Sequence, residues 1–418
     1  MKNKKIRVLC VPSDTEGCGL HRSFMPHSKL HELYNDDFDV TIYYNFNWRN
    51  TELLNTYDIV HFHKGDYGDM EGFYKALDFC KENNIITIMD VDDNWDLNKE
   101  HPLYHMFIRL KMGEKITENL KRVDYVNTTT PIFAEKIKKY NPNVKVFPNA
   151  IDNNFTNLLK NNINKSGKIR IGFIMGSSHE EDMELVRGLV NRLPKKILNQ
   201  IQIVLCGFDT RSTIIIYNED GESTTRDIKP EESVWYRFEQ NVTDNYKIVS
   251  PEHKDFLLKF IPQVEYPNTE NESYKRCWTK PADDYCYMEH YNNLDILLVP
   301  LAKNDFTQCK SELKFVEAGT MDVAVIASNT GPYTIGSENF FQKGGKINEK
   351  GNCILIDNRK TDKEWAKAIE KLVKTPEYIQ MLKNNMAKHV KENYNLDKIT
   401  AERAEWYKKI CKRYGKEE

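Results

Sequence analysis

Between Pro300 and Gly319 the chain reads PLAKNDFTQCKSELKFVEAG: a strand end, a polar loop and a helical pattern. If the helix begins near Lys310, then Lys310, Lys314 and Glu317 fall at i, i+4 and i+7, on one face. Two cations at the positive end of a helix, just past a strand's carboxyl end, suit a diphosphate, and Ser311 adds a hydroxyl and an N–H. A glutamate one turn deeper suits the two hydroxyls of a ribose. The ordinary alternative is a solvated face with a Lys314–Glu317 pair worth about 0.3–0.5 kcal/mol.

Three further segments carry residue types that can do chemistry. After the first strand, Asp14–Arg22 (DTEGCGLHR) places Gly17 and Gly19 before a helix, where backbone can approach an anion. Arg22 stands where a dinucleotide fingerprint needs its third glycine, which argues against an oxidoreductase. After the fourth strand, Asp90–Asp96 (DVDDNWD) holds four carboxylates that repel one another. The spacing lacks the glycine of a calcium loop. Asp92 and Asp93 therefore orient the hydroxyls of an acceptor or donor sugar, or the segment is a solvated loop. The third, Gly172–Asp182 (GFIMGSSHEED), offers Gly176 and Ser177 as a phosphate or hydroxyl cradle. It also fits a helix capped by Ser177 or Ser178 with Glu181 closing a capping box. Arg276, in YKRCW, is a further candidate cation for the diphosphate.

These segments need a scaffold that brings strand ends together. Short β-branched strands alternate with helical stretches, the pattern of parallel sheets with crossover helices. Strands are predicted at 6–11, 39–43, 58–63, 85–90, 125–128 and 144–147, with helices near 22–34, 70–82, 104–121 and 131–140. After the polar, Asn-rich 153–168 a second series begins at 169–175 and continues at 201–207, 295–299, 323–328 and 353–356. The chain is helical beyond Asp362. The fold class is thus α/β: two Rossmann-like domains facing across a cleft, with C-terminal helices and an insertion in the second domain. The domains run 1–152 (acceptor side) and 169–390 (donor side, insertion about 209–290). A helix over 391–418 returns to the N-terminal domain. Ligands of such sheets sit at the carboxyl ends of the strands.

Composition removes several classes. Sixty Lys and Arg against 62 Asp and Glu give a net charge of −2, which disfavours nucleic acid as partner or acceptor. The apolar runs are strand-length, short of the roughly 20 residues that span a bilayer. The N-terminus reads as a first strand and not as a signal peptide. Nine cysteines without a C-x-x-C pair suit reduced thiols and a cytoplasmic location.

Taken together, the Gly17/Gly19 loop, the strands DIVHFH and IITIMD, the segment VKVFPNAID, the opening GFIMGSSHEED and above all KSELKFVEAGTMDVAVIAS resemble a known family. It is the GT-B type of glycosyltransferase, similar to the retaining glycosyltransferase family 4 (glycosyl transferases group 1) that includes sucrose and glycogen synthases. The resemblance implies transfer of a hexosyl group from a UDP- or GDP-linked sugar to a hydroxyl of a glycan, lipid-linked or other acceptor. It implies retention of configuration, no metal and no cofactor. Glu317 matches the second of the family's two glutamates, which binds the nucleotide ribose, while the first falls on Cys309 and is missing. The family's histidine after the fourth strand is replaced near Met89, and its Arg–Lys pair near Gly176 is absent, leaving Lys310 and Arg276 to supply that charge. Expected site residues are therefore Lys310, Asp92 and Asp93 for catalysis. Gly17, Gly19, Gly176, Ser177, Arg276, Lys310, Ser311, Lys314 and Glu317 are expected to hold the donor. A nucleotide-sugar epimerase of the same architecture, or a catalytically degenerate nucleotide-binding scaffold, are the alternatives.

Overall fold

A computed structural model describes residues 4–15, 17–99, 101, 103–152, 159–161, 164, 166–208, 213–217, 223–259, 272–278, 287–359 and 362–413. The chain divides into two compact units. The first comprises 1–153, 304–316 and 391–418, and the second 154–303 and 317–390. The loop 304–316, which the sequence places on the donor side, thus belongs with the first unit.

In the first unit six parallel strands form one sheet: β1 (Ile6–Val11), β2 (Phe38–Ile42), β3 (Ile59–His63), β4 (Ile86–Val91), β5 (Tyr125–Thr128) and β6 (Val144–Val146). Their order is β2-β1-β3-β4-β5-β6. β3 and β4 are buried along their whole length, as near-continuous apolar runs of parallel sheets must be. One face packs Val60, Phe62, Met89 and Val126 against α2 (Met70–Glu82) and α5 (Pro131–Ile137) through Phe73, Leu77, Phe133 and Ile137. Between those helices lie α3 (Tyr104–Arg109) and α4 (Met112–Arg122). The other face packs Val8, Ile59, Ile86 and Ile88 against α1 (Met25–Leu33) and the C-terminal α11 (Leu396–Arg413), which contribute Leu30, Ala404, Tyr407 and Ile410.

The second unit repeats the scheme. β7 (Ile169–Ile174), β8 (Ile201–Phe208), β11 (Tyr274–Trp278), β12 (Ile296–Val299), β13 (Ala324–Ser328) and β14 (Ile354–Ile356) order as β11-β8-β7-β12-β13-β14, again all parallel. Between β8 and β11 lie an antiparallel hairpin of β9 (Thr213–Tyr217) and β10 (Ser223–Asp227), then α6 (Val234–Thr243) and α7 (Pro251–Leu258). α8 (Leu313–Thr320) precedes β13, and α9 (Asp362–Lys374) and α10 (Pro376–Asn393) follow β14. The 209–290 region is not wholly an excursion, because β11 completes the sheet edge. Trp235 and Tyr246 are buried in the core of the second unit, with α6 as the amphipathic element that carries Trp235 there. Among the described residues no helix is long and apolar enough to cross a membrane.

Candidate active site

At the carboxyl edge of the first sheet the loops after β1, β3 and β4 converge. Ser13 Oγ lies 2.5 Å from His63 Nδ1, and His63 Nε2 lies 2.9 Å from Asp92 Oδ1. Lys64 Nζ reaches the same carboxylate oxygen at 2.7 Å. His63 and Asp92 are buried while Ser13 is exposed. Burial alone would push the Asp92 carboxyl up, but Lys64 and His63 outweigh it and hold the group well below the ordinary range. Asp93 is half-buried beside Cys18, whose thiol is pushed up by burial and then by Asp92. Asp92, expected from the sequence to orient sugar hydroxyls, is thus an ion-paired carboxylate locked to a lysine and a histidine.

The same edge is braced by a buried ion pair. Arg22 grips Asp90 through Nε to Oδ1 at 2.9 Å and Nη2 to Oδ2 at 3.0 Å, and its Nη1 donates to the Phe147 carbonyl and to Asn149 Oδ1. Asn149 in turn donates to Ser311 Oγ at 3.1 Å, and Asn94 to the Asp305 carbonyl at 2.9 Å. These bonds fasten the loop 304–316 to the strand ends of the first unit. At the far end of the segment Asp90–Asp96, Asp96 pairs with Lys136 at 2.6 Å. Three of the four carboxylates that the sequence leaves mutually repelling are therefore paired with cations or a histidine, Asp90 to Arg22, Asp92 to Lys64 and His63, and Asp96 to Lys136, while Asp93 stays close to Asp92 beside Cys18.

Several expected roles change. Lys310 is not helical: its backbone is extended (φ −63, ψ 164), it ends the short turn Thr307–Cys309, and α8 begins only at Leu313. The single face shared by Lys310, Lys314 and Glu317 does not exist, since only the last two lie on the helix. Lys310 is half-buried, with Nζ 4.9 Å from the Phe306 ring centroid. Gly19 is required by a close approach, because a Cβ there would meet the Asp14 carbonyl oxygen at 2.0 Å. Its N–H donates to Asp14 Oδ1 at 2.9 Å, so the amide closes the loop instead of facing a ligand. Gly17 is exposed with open space beside it.

In the second unit Glu317 is 2% exposed and its Oε2 accepts from the Tyr291 hydroxyl at 2.5 Å. Arg276 is also buried, with its guanidinium on Glu239 at 2.6 and 2.8 Å. Tyr274 donates to the same carboxylate at 2.9 Å. A guanidinium so committed is a core ion pair, which removes Arg276 from the diphosphate. Gly176 is exposed and Ser177 half-buried, as a loop after β7 should leave them. The capping box expected there is not formed: the helix Glu180–Glu184 has His179 at its N-cap, with no side-chain cap. His179 instead pairs with Asp182 at 2.6 Å, and Asp182 accepts from the Ala302 N–H at 2.6 Å, tying the loop after β12 to that after β7.

Sequence reasoning missed Ser13, His63, Lys64, Asn149 and Tyr291. A signal existed for His63: two histidines at alternate positions of the buried strand β3 are out of place in an apolar run. Met89, where a histidine was sought, is buried inside β4. Among the described residues two groups bring three metal-type ligand atoms together, Cys10–His27–His61 and Cys18–Asp92–Asp93. His27 has both ring nitrogens engaged, with the Ser23 carbonyl and the Tyr407 hydroxyl. In the second group the Lys64 ammonium already neutralises Asp92. The residues present fit a metal in neither.

The first unit also holds a cavity of about 950 Å3 lined by Tyr74, Trp95, Phe107, Lys111, Lys115 and Tyr140 among others. α3, beside it, buries none of its own side chains.

No family model matches the chain, and no curated protein matches it. Solved structures do. Anabaena HepE, solved with UDP and glucose, aligns over 97% of this chain and 100% of its own, with TM-score 0.58 and 10% identity. A glycosyltransferase from Rickettsia africae aligns over 98% and 99%, with TM-score 0.58 and 11% identity. Sucrose-phosphate synthase from Thermosynechococcus elongatus aligns over 97% and 99%, with TM-score 0.57 and 10% identity. The two six-stranded parallel sheets and their helices are those of the GT-B fold.

Proposed function

We propose that this protein is a glycosyltransferase that moves a hexosyl group from a UDP- or GDP-linked sugar to an acceptor hydroxyl in the cytoplasm, with retention of configuration and without a metal ion. The observation that carries the reading is the end-to-end likeness to GT-B structures, one of them solved with UDP-glucose. Cleaving a nucleotide sugar leaves growing negative charge on the diphosphate while the sugar becomes oxocarbenium-like, so preorganised positive groups supply most of the catalysis. Lys310, Lys314 and the Ser311 hydroxyl are assigned to that charge, and Glu317, held by Tyr291, to the ribose. Gly176 and Ser177 are assigned to the donor from the loop after β7. The aromatic and lysine-lined cavity of the first unit supports placing the acceptor there, since sugar rings stack on aromatic faces. A catalytically idle nucleotide-binding scaffold is the second reading, favoured by the buried Cys309 at the position of the family's first glutamate.

Thermal shifts with UDP, GDP, ADP, CMP and their common sugars, with and without EDTA, test the proposal. A ligand at 100 times its Kd adds about 2.7 kcal/mol, an easily read change. We expect one nucleotide class to respond regardless of EDTA, followed by sugar release from its sugar conjugate. The anomeric configuration of the product then tests retention. Silence from every nucleotide would refute the transferase reading, and binding without turnover would favour the scaffold.

A further inference from the structure

α3 is six residues long and buries none of its own side chains. So short a helix depends on packing and not on its own hydrogen bonds, and the fold supplies it only the partial contact of Phe107 with the core of the first unit. Of the ten large apolar side chains left exposed among the described residues, four stand on or beside α3: Leu103 at 45%, Met106 at 38%, Ile108 at 63% and Leu110 at 42%. Exposed apolar residues scattered singly need no explanation, but four so close together mark a surface that a partner covers. The segment is fixed at its start, where the His101 ring packs edge-on against Phe306 at 4.9 Å and accepts from the Leu103 N–H at 3.2 Å.

Charge says what that partner is. Residues 103–122 carry five Lys and Arg against two Glu, a local balance of +3 in a chain of net −2. Arg122 is paired with Glu118 at 2.8 Å. Arg109, Lys111, Lys115 and Lys121 form no ion pair among the described residues, and Arg109, Lys111 and Lys121 are exposed. Arg109 and Lys111 alternate with the exposed Ile108 and Leu110, while Lys111, Lys115 and Lys121 line the cavity next to α3. A second copy is a poor cover, because a two-fold interface sets this cationic surface against itself. A protein partner is also disfavoured, since the centres of such interfaces are depleted in lysine. A bilayer surface suits both features, because lysine and arginine stems lie along apolar surface while their heads reach anionic headgroups.

We propose that α3 and α4 dock this protein on the surface of a bilayer that contains anionic lipid. Leu103, Met106, Ile108 and Leu110 enter the boundary between headgroups and acyl chains, and Arg109, Lys111, Lys115 and Lys121 meet the lipid phosphates. The contact is peripheral and is built from the first unit alone. It goes beyond the transferase reading and does not rest on it.

The test is flotation of the full chain with vesicles of equal parts phosphatidylglycerol and phosphatidylcholine, and with vesicles of phosphatidylcholine alone. We expect the wild type to float with the anionic vesicles and to be released as salt screens the lysines. Ile108→Ser combined with Leu110→Ser should weaken binding about tenfold or more, and Arg109→Gln combined with Lys111→Gln about 10- to 30-fold. Leu33→Ser removes a leucine of similar exposure, 44%, from α1 on the opposite layer of the first sheet, and should float as the wild type does. Melting temperatures report the folding of each variant. If the serine variant melts early, the glutamine variant decides, because surface cations contribute little to folding. A wild type that stays off the anionic vesicles, or floats equally with phosphatidylcholine alone, overturns the proposal. Undiminished flotation of a well-folded serine or glutamine variant does so too. A dimer that the serine variant dissociates, with no flotation of the wild type, gives the face to a second copy and also overturns it. Melting shifts with UDP are read separately, so their absence beside intact flotation counts against the transferase reading alone.

Discussion

Glu312 illustrates how burial alone can set a titration. Its carboxyl is 4% exposed, Oε2 has no hydrogen-bond partner, and burial pushes its pKa up to about 7 from an ordinary 4.5. Between those values the folded state binds a proton that the unfolded state has released, so this group's contribution is complete below 4.5 and is lost as pH rises to about 7. We expect Glu312→Gln to remove that slope and to raise stability at pH 8 by about 1–3 kcal/mol, checked by urea midpoints across pH. His61 acts in the opposite direction. Burial lowers it to about 4 from 6.5 despite Asp90 beside it. The unfolded chain takes up the proton first, so stability present above 6.5 is lost as pH falls toward 4. His27, enclosed in the same way, is also held well below its ordinary value. Acid melting curves should show this loss, and His61→Gln should blunt it. Arg22 is buried and makes four hydrogen bonds, two to Asp90 and one each to the Phe147 carbonyl and Asn149. Arg22→Met leaves Asp90 charged and enclosed, and we expect a loss of about 3–5 kcal/mol in a denaturation midpoint series.

At the scale of elements, Arg276 is a cation committed to the core, whereas Lys310 is half-buried in a loop beside Phe306. Arg276 lies on β11 facing α6, where Glu239, Tyr274 and Tyr246 enclose it. We expect Arg276→Met to change stability while leaving the melting shift of the bound nucleotide intact. A Lys310→Ala variant should do the reverse, lowering the transfer rate by orders of magnitude with the fold preserved. A helix starting at Lys310 fails locally because the turn Thr307–Cys309 and the fastening of Ser311 by Asn149 hold the chain extended until Leu313. No feature of KSELKFVEAG itself signals that delay. The helix over Met70–Glu82, in contrast, was legible to the residue, because Asp69 caps it through the Gly72 N–H and its apolar stripe is regular.

For the molecule as a whole, three separate stretches build the first unit, and the last of them is the C-terminal helix. α11 buries Ala404, Tyr407, Ile410 and Cys411 on the face of the first sheet, and Tyr407 hydrogen-bonds His27 at 3.0 Å. Arg403 stacks over Phe147 at 4.3 Å, and Lys29 pairs with Asp152 at 2.9 Å. Deleting 395–418 uncovers that face, and we expect the first unit to lose its cooperative transition, read by limited proteolysis of fragments ending before α2.

The alternation of β-branched strands with helical stretches was sufficient to find all six strands of the first sheet and five of the six in the second, because burial on two faces leaves parallel strands little compositional freedom. The strand-end loops where ionisable residues gather were legible for the same reason. The edge strand β11 was not, since one neighbour and a half-polar sequence, YKRCW, give it no run to recognise. Which ionisable groups are partners was decided only by tertiary structure. Arg22 meets Asp90, Arg276 meets Glu239, and Ser13, His63 and Asp92 come together because strands distant in sequence lie side by side. Charge pairing depends on a few ångströms in space, and a linear spacing of 29 or 68 residues carries no trace of it.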